Sequence, residues 1–169
     1  MEVVILALKL TAKEKMLLQD QKAHEELCIQ KYQNYSNQAQ DPQLKQLFDS
    51  LAPKEQEHLN SINQILAGQV PNIQQSQQAG QQMPQIGQQG QQNQQTQMLG
   101  GTMANQNDST LCSDMLATEK YVSGTYDTTI FECIDTNVRQ VLNHIQKEEQ
   151  EHGEQIFNYM QSKGMYNPQ

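Results

Sequence analysis

The sequence repeats itself at a constant offset of 94 residues, and the two copies align without a gap. The identical residues of the first copy are Leu17, Asp20, Ala23, Glu25, Tyr32, Asp41, Gln46, Glu55, Gln56, Glu57, His58 and Ile62. Their counterparts are Leu111, Asp114, Ala117, Glu119, Tyr126, Asp135, Gln140, Glu149, Gln150, Glu151, His152 and Ile156. Self-similarity of this extent indicates that one supersecondary unit is used twice. The fold is therefore expected to consist of two matching halves.

The first copy has the signals of a helical hairpin. The segment Thr11–Glu14 has the form of a capping box, which predicts a helix that starts there and runs to about Gln40. Asp41–Pro42 then supplies an N-cap and a proline at the first helical position, so a second helix should follow at once and end near Gly68.

The second copy predicts the same hairpin again. Asp108 or Ser109 is expected to open its first helix, Asp135 to cap the next one and Gly164 to end it. Four long helices, joined in pairs by very short turns, predict an all-α four-helix bundle. Apolar residues spaced in threes and fours give each helix an inward face.

Ionisable residues interrupt these apolar faces about midway along each helix. Glu25 lies 15 residues before Gln40, and Glu55 lies 14 residues after Asp41, so both should lie at one height in an antiparallel hairpin. Glu119 and Glu149 repeat this arrangement around the second turn. One turn beyond its glutamate, on the same helix face, each second helix of a hairpin carries His58 or His152.

These six residues suggest a metal site. One glutamate from each of two helices, with Glu-x-x-His from each of the other two, is the ligand set of ferritin-like di-iron and di-manganese proteins. Carboxylates with one imidazole per ion suit Fe or Mn, and two such ions would neutralise four buried carboxylates. The predicted ligands are Glu25, Glu55, His58, Glu119, Glu149 and His152. The alternative is a hydrogen-bonded polar cluster without metal. Pro53, two residues before Glu55, is expected to kink its helix beside the site.

A glutamine-rich segment separates the two copies. Residues 68–107 contain no charged residue and hold 16 of the 32 glutamines of the chain. This composition predicts a disordered linker between a first hairpin at 1–67 and a second at 108–169. Both hairpins should then form one bundle, with the linker as its long crossover. The linker is either a plain spacer or a source of glutamines for cross-linking and self-association.

Charge and composition exclude several functions. The net charge is −8 and no basic run occurs, which argues against nucleic acid as a partner. No apolar run approaches the ~20 residues that a membrane span needs. The three cysteines are odd in number and widely spaced, which favours reduced thiols in a cytosol over a disulfide framework.

The second copy also resembles a known family. The segments Leu116-Ala-Thr-Glu-Lys-Tyr, Thr125-Tyr-Asp-Thr-Thr-Ile-Phe-Glu-Cys, Glu149-Gln-Glu-His-Gly and Tyr159-Met-Gln-Ser-Lys-Gly-Met-Tyr resemble the Coat F family of bacterial spore coat proteins. The first copy, from Leu10-Thr-Ala-Lys-Glu-Lys-Met-Leu-Leu onward, is similar to the amino-terminal hairpin of ferritin-like relatives in spore formers. The resemblance implies a ferritin-like bundle, made in the mother-cell cytoplasm and deposited on the spore coat. Its partners would be other coat proteins or further copies of itself.

Two functions follow from these observations. The first is a structural component of the endospore coat on a ferritin-like scaffold, with a di-metal site as a further feature. The second is a metalloenzyme, in which two Fe or Mn ions act on oxygen or peroxide. The family resemblance favours the structural role over the enzyme.

Overall fold

The structure is a computed structural model that describes residues 8–72 and 100–166, with side chains from residue 106 onward in the second segment. Four helices make up these ranges: α1 (Ala12–Gln38), α2 (Pro42–Leu66), α3 (Gly100–Glu132) and α4 (Thr136–Ser162). α1 pairs with α2 and α3 pairs with α4, and the two hairpins pack against each other through α1–α3 and α2–α4 contacts. The prediction of an all-α four-helix bundle made of two hairpins is confirmed.

The helix starts follow the predicted capping residues in three of the four helices. The Thr11 side chain accepts a hydrogen bond from the Glu14 N–H, and the Glu14 carboxylate accepts one from the Thr11 N–H at 2.7 Å, which completes the capping box. Asp41 and Asp135 cap α2 and α4 through their carboxylates. These caps satisfy N–H groups that have no partner within the first helical turn.

Glycine residues mark the ends of α2 and α4. Gly68 has φ +84° and Gly164 has φ +67°, a left-handed conformation that glycine adopts without the steric penalty of a side chain. Beyond Gly164, the N–H of Met165 returns to the carbonyl of Met160 at 2.8 Å and closes the last turn of α4. The predicted ends near Gly68 and at Gly164 are therefore confirmed.

The start of α3 differs from the prediction. α3 begins at Gly100 rather than at Asp108 or Ser109, so residues 100–107 are helical rather than the end of a linker. Asp108 lies inside α3 and does not cap it. Its carboxylate accepts hydrogen bonds from the backbone N–H groups of Gln40 and Asp41, at 2.9 and 2.8 Å, in the turn of the other hairpin.

Pro53 lies on the exposed side of α2, and the helix continues unbroken past it to Leu66. The carboxyl-terminal half of α2, which carries Glu55 and His58, is therefore part of the same helix as its start. The predicted linker falls largely at residues 73–99, which lie outside the described residues, as do residues 1–7 of the predicted first hairpin.

Neighbouring helices run antiparallel. α1 and α3 meet at one end through Glu14 and the N–H of Ile134, and at the other end through the Tyr35 hydroxyl and Asp114. All four helices therefore cross the middle of the bundle at matching heights, and the repeat in the sequence corresponds to an approximate two-fold relation between the hairpins.

The core consists of two apolar clusters with a polar layer between them. One cluster is formed by Leu18, Cys28, Ile62, Ile65, Val122, Tyr126, Cys133, Val138, Val141, Leu142 and Ile145. The other is formed by Tyr32, Leu44, Phe48, Leu51, Ala52, Leu111, Cys112, Met115, Leu116, Ile156 and Met160. In α2, α3 and α4 the residues of one cluster precede the polar layer and those of the other follow it. Among the described residues, all three cysteines are buried free thiols, as predicted.

Candidate metal centre

The polar layer contains all six residues that the sequence singles out as metal ligands. α1 contributes Glu25, α2 contributes Glu55 and His58, α3 contributes Glu119, and α4 contributes Glu149 and His152. Each of them is at least 97% shielded from solvent. An isolated buried carboxylate costs several kcal/mol, so a group of four needs compensation from its surroundings.

The six side chains form two sets of four possible ligands. Glu25, Glu55, His58 and Glu149 make the first set, and Glu55, Glu119, Glu149 and His152 make the second; within each set the donor atoms lie within 4.8 Å of one another. Glu55 and Glu149 belong to both sets. The two sets are therefore adjacent and share two carboxylates.

The two histidines approach the shared glutamates from opposite hairpins. His58 Nδ1 lies 3.1 Å from Glu149 Oε1, and 3.6 Å from an oxygen of Glu25 and of Glu55. His152 Nδ1 lies 2.7 Å from Glu55 Oε1. The imidazole rings are stacked with their centroids 5.5 Å apart. In both histidines Nδ1 therefore faces the shared glutamates.

Two buried tyrosines hold the remaining glutamates. The Tyr32 hydroxyl donates to Glu119, and the Tyr126 hydroxyl donates to Glu25. Tyr32 and Tyr126 are counterparts in the repeat, and so are Glu25 and Glu119. Each hydroxyl fixes one oxygen of its glutamate and leaves the other oxygen for a different partner.

Several polar atoms of the cluster have no hydrogen-bond partner in the part of the chain that the structure describes. They are Glu25 Oε2, Glu55 Oε2, Glu119 Oε2 and Glu149 Oε2, whereas Glu55 Oε1 and His152 Nδ1 lie 2.7 Å apart as an ion pair without hydrogen-bond geometry. Buried polar groups in proteins are nearly always paired, so these carboxylate oxygens have the capacity to accept a further partner such as a cation. Carboxylate oxygens and imidazole nitrogens are ligands that Fe(II) and Mn(II) accept, and the residues therefore fit a pair of such ions.

The pKa values of the glutamates in the metal-free cluster reflect the burial of four carboxylates in one place. Burial raises the pKa of Glu25 to about 7, against hydrogen bonding to His58, and burial together with the charge of Glu55 raises the pKa of Glu149 to about 7. Burial and Glu149 raise the pKa of Glu119 well above its ordinary value. Without metal, the cluster therefore retains protons that a cation would displace.

The pKa values of Glu55 and His58 shift in the directions that favour their charged forms. Burial alone would raise the pKa of Glu55, but the close approach of His152 and His58 lowers it below the ordinary value. Burial alone would lower the pKa of His58, but its contacts with Glu148 and Glu149 raise it well above the ordinary value. Glu55 and His58 therefore form the charged pair of the metal-free cluster.

Glu148 is a member of the site that the sequence did not reveal. Helical spacing places it on a solvated acidic face, but the structure shows it half-buried, with Oε2 2.9 Å from His58 Nε2 and 3.4 Å from His144 Nε2. A carboxylate on the second nitrogen of a ligand histidine orients the ring and fixes its tautomer. In the sequence, the i, i+4 spacing of His144 and Glu148 is the feature that could have indicated a contact between Glu148 and a histidine.

The first hairpin has a different residue at the position equivalent to Glu148. The repeat places Lys54 where the second copy has Glu148. Lys54 pairs with Glu57 at 3.2 Å on the surface of α2. The two ligand sets are therefore alike in their inner residues and different in the residues behind the histidines.

Fold and site together define a class: a four-helix bundle of two repeated hairpins around a buried carboxylate–imidazole cluster. Residues 107–169 match the family model of the Coat F domain. The match covers the second hairpin from residue 107 onward, as the resemblance in the sequence indicated. Comparisons with curated proteins and with solved structures gave no match. Among the helices of the described ranges, none is long and apolar enough to cross a membrane.

Proposed function

We propose that this protein is a structural component of the bacterial endospore coat, and that its bundle binds two Fe or Mn ions. The coat role is supported by the Coat F domain at residues 107–169. In this proposal the chain is made in the mother-cell cytoplasm, joins the coat from there, and contacts other coat proteins or further copies of itself.

The observation that carries the metal site is the pair of adjacent ligand sets with unpaired buried atoms. Glu25 and His58 would bind one ion, Glu119 and His152 would bind the other, and Glu55 and Glu149 would contribute to both. Once all four carboxylates are ionised they carry four negative charges, and even two protonated imidazoles would supply a counter-charge for only two of them. Two divalent ions supply that charge and link all four helices.

A bound ion pair would make the bundle resistant to unfolding, which suits a structural role. A ligand that binds only the folded state raises the free energy of unfolding by an amount that grows with its concentration. Fe and Mn ions also bring redox chemistry with oxygen or peroxide when they are bound in such a site. The Coat F match favours the structural role over such a reaction.

The metal site is tested by metal analysis of protein that is purified without chelators. We expect about two Fe or Mn ions per chain, because each of the two ligand sets can hold one ion. Addition of Fe(II) or Mn(II) to the metal-free protein should raise the melting temperature. The Glu55→Gln/Glu149→Gln variant should contain no metal and show no increase in melting temperature, since these residues belong to both sets.

Three control variants and one contradicting result sharpen this experiment. Glu25→Gln and Glu119→Gln each change a ligand of one set only, so each should leave one site intact. Glu57→Gln, which changes an exposed glutamate on α2, should leave the stoichiometry unchanged. A well-folded parent protein that contains no metal and does not respond to added metal would rule out the site.

The coat role is tested separately, in sporulating cells. Immunolabelling of purified spores should place the full-length protein in the coat fraction. A chain with the Glu55→Gln/Glu149→Gln change should reach the same place if the Coat F surface directs assembly independently of the metal. Protein that stays in the mother-cell cytoplasm through spore maturation would contradict the coat role and leave the metal site standing.

A further inference from the structure

A surface groove between α3 and α4 lies beside the polar layer. Its volume is about 700 Å³, and Glu119 and Glu149 line its inner side. Each of these two carboxylates has one oxygen without a hydrogen-bond partner in the described part of the chain, and both are at least 99% shielded from solvent. The groove therefore adjoins the second ligand set, to which both residues belong.

Glycines on the two facing helices keep the groove open. A Cβ added to Gly153 would lie 3.6 Å from Leu116 Cδ1 and 3.9 Å from Glu119 Cβ, so a longer side chain there would extend over Glu119. A Cβ added to Gly124 would meet nothing within 4 Å. Glycine is unfavourable within helices, so its presence at a lining position is consistent with a need for space.

The first hairpin carries larger residues at the same repeat positions. Leu59 is the counterpart of Gly153, and Gln30 is the counterpart of Gly124. Leu59 is buried, with 9% of its surface exposed. The groove is therefore a feature of the second hairpin. Leucine, the residue at this position in the first hairpin, is the substitution that would close it.

The rim of the groove is suited to cations. The charged residues among its lining are Lys120, Asp127 and Glu154 at the exposed rim, and Glu119 and Glu149 inside. Carboxylates therefore outnumber ammonium groups from the rim to the interior. A cleft lined by one sign of charge concentrates ions of the opposite sign and raises the rate at which they arrive.

We propose that this groove is the route by which divalent cations reach the second ligand set, through the gap that Gly153 leaves above Glu119. This inference rests on the proposed metal site. It assigns the glycine and the acidic rim a role in the rate of metal uptake, whereas the six ligands determine the number of ions bound at equilibrium.

The test is rapid mixing of metal-free protein with Mn(II), with uptake followed by loss of the paramagnetic resonance signal of the free ion. Gly153→Leu installs the residue of the first repeat and should slow the uptake of one ion about tenfold or more, because that ion must then wait for a side-chain movement. The final stoichiometry should stay at that of the parent. Ala117→Leu adds comparable bulk at an exposed position outside the groove and should not change the rate.

A second variant tests the rim without changing the interior. Asp127→Lys/Glu154→Lys should slow uptake about threefold or more at low ionic strength, and salt should abolish the difference. Glu26→Lys reverses one charge at the first hairpin's counterpart of Lys120 and should have little effect.

The outcomes separate this inference from the proposed site. If the parent binds two ions and Gly153→Leu takes them up at the parent rate, the groove is not the route, although the site stands. A lower final stoichiometry in Gly153→Leu would also overturn the inference, since leucine would then disturb the ligands themselves. If the parent binds no Mn(II), the proposed site fails and the inference fails with it.

Discussion

The carboxylate of Glu14, in the first turn of α1, accepts a hydrogen bond from the backbone N–H of Ile134 at 2.8 Å. Ile134 lies in the turn between α3 and α4, so this contact joins the two hairpins. The repeat counterpart of Glu14 is Asp108, which binds the N–H groups of Gln40 and Asp41 in the turn between α1 and α2. Each hairpin therefore uses a carboxylate of its first helix to hold the turn of the other.

These two carboxylates should contribute measurably to stability. Glu14 and Asp108 are both nearly fully buried, and their removal leaves turn N–H groups without a partner. We expect Glu14→Ala and Asp108→Ala each to lower the free energy of unfolding by about 1–3 kcal/mol in urea titrations. Asp20→Asn, at an exposed position of α1, is the control and should change it by less than about 0.5 kcal/mol. Equal effects of all three variants would contradict a specific role for the turn contacts.

The Glu14 contact should also depend on pH. Burial would raise the pKa of Glu14, but hydrogen bonds from Ile134 and Thr11 outweigh it and lower the pKa below the ordinary value of 4.5. Because the folded-state pKa is the lower one, this stabilisation is present above pH 4.5 and is lost as the pH falls through the folded-state value. The stability difference between the parent and Glu14→Gln should therefore shrink on acidification. A difference that is constant from pH 7 to about pH 3 would contradict it.

The pKa values in the polar layer predict that the metal-free protein becomes less stable as the pH rises. Burial raises the pKa values of Glu25 and Glu149 to about 7, above the ordinary 4.5. Groups with a raised folded-state pKa stabilise the fold below the unfolded-state value and lose that contribution as the pH rises through the folded-state value. The metal-free melting temperature should therefore fall between about pH 5 and pH 8. The increase in melting temperature on addition of Mn(II) should grow over the same range, because the cation needs deprotonated ligands.

Variants locate this pH dependence in the cluster. Glu25→Gln/Glu149→Gln should flatten the metal-free profile, whereas Glu151→Gln, at an exposed position of α4, should leave it unchanged. A parent profile that rises with pH between 5 and 8 would show that other groups dominate, and would contradict the expected burial of protonated carboxylates.

Glu148 should make the two ligand sets unequal. Its contact with His58 Nε2 orients the imidazole of the first set, while Lys54 occupies the matching position beside the second. We expect Glu148→Gln to weaken the binding of one ion about 10- to 100-fold in calorimetric titrations, with little effect on the other. Lys54→Gln is the matched control and should leave both affinities near those of the parent. Equal weakening of both ions by Glu148→Gln would contradict the assignment of Glu148 to one set.

Much of the candidate site follows from the sequence because the repeat constrains it twice. Glu25 and Glu55 alone could lie on any helix face, but the same spacing at Glu119 and Glu149 fixes one height and one inward direction. The bundle then brings the four glutamates together, as predicted. That they bind metal stays a prediction.

The features that the sequence did not predict depend on contacts between helices. Asp108 has the form of an N-cap, but its carboxylate binds the turn of the other hairpin, and α3 starts earlier, at Gly100. Glu148 has the spacing of a surface residue, and only the approach of His58 from α2 makes it part of the site. The space above Gly153 depends on how closely α3 and α4 pack, which one helix cannot specify.

The crossed contacts of Glu14 and Asp108 also bear on how such a chain arises. A single hairpin of this kind would expose its apolar face and leave the N–H groups of its turn unpaired, so it would gain stability by associating with a second copy of itself. In that homodimer, a true two-fold axis would pass through the polar layer, with three ligands from each subunit. The present chain has the form of such a dimer joined covalently. Once joined, its halves can diverge, as Leu59 against Gly153 and Lys54 against Glu148 show.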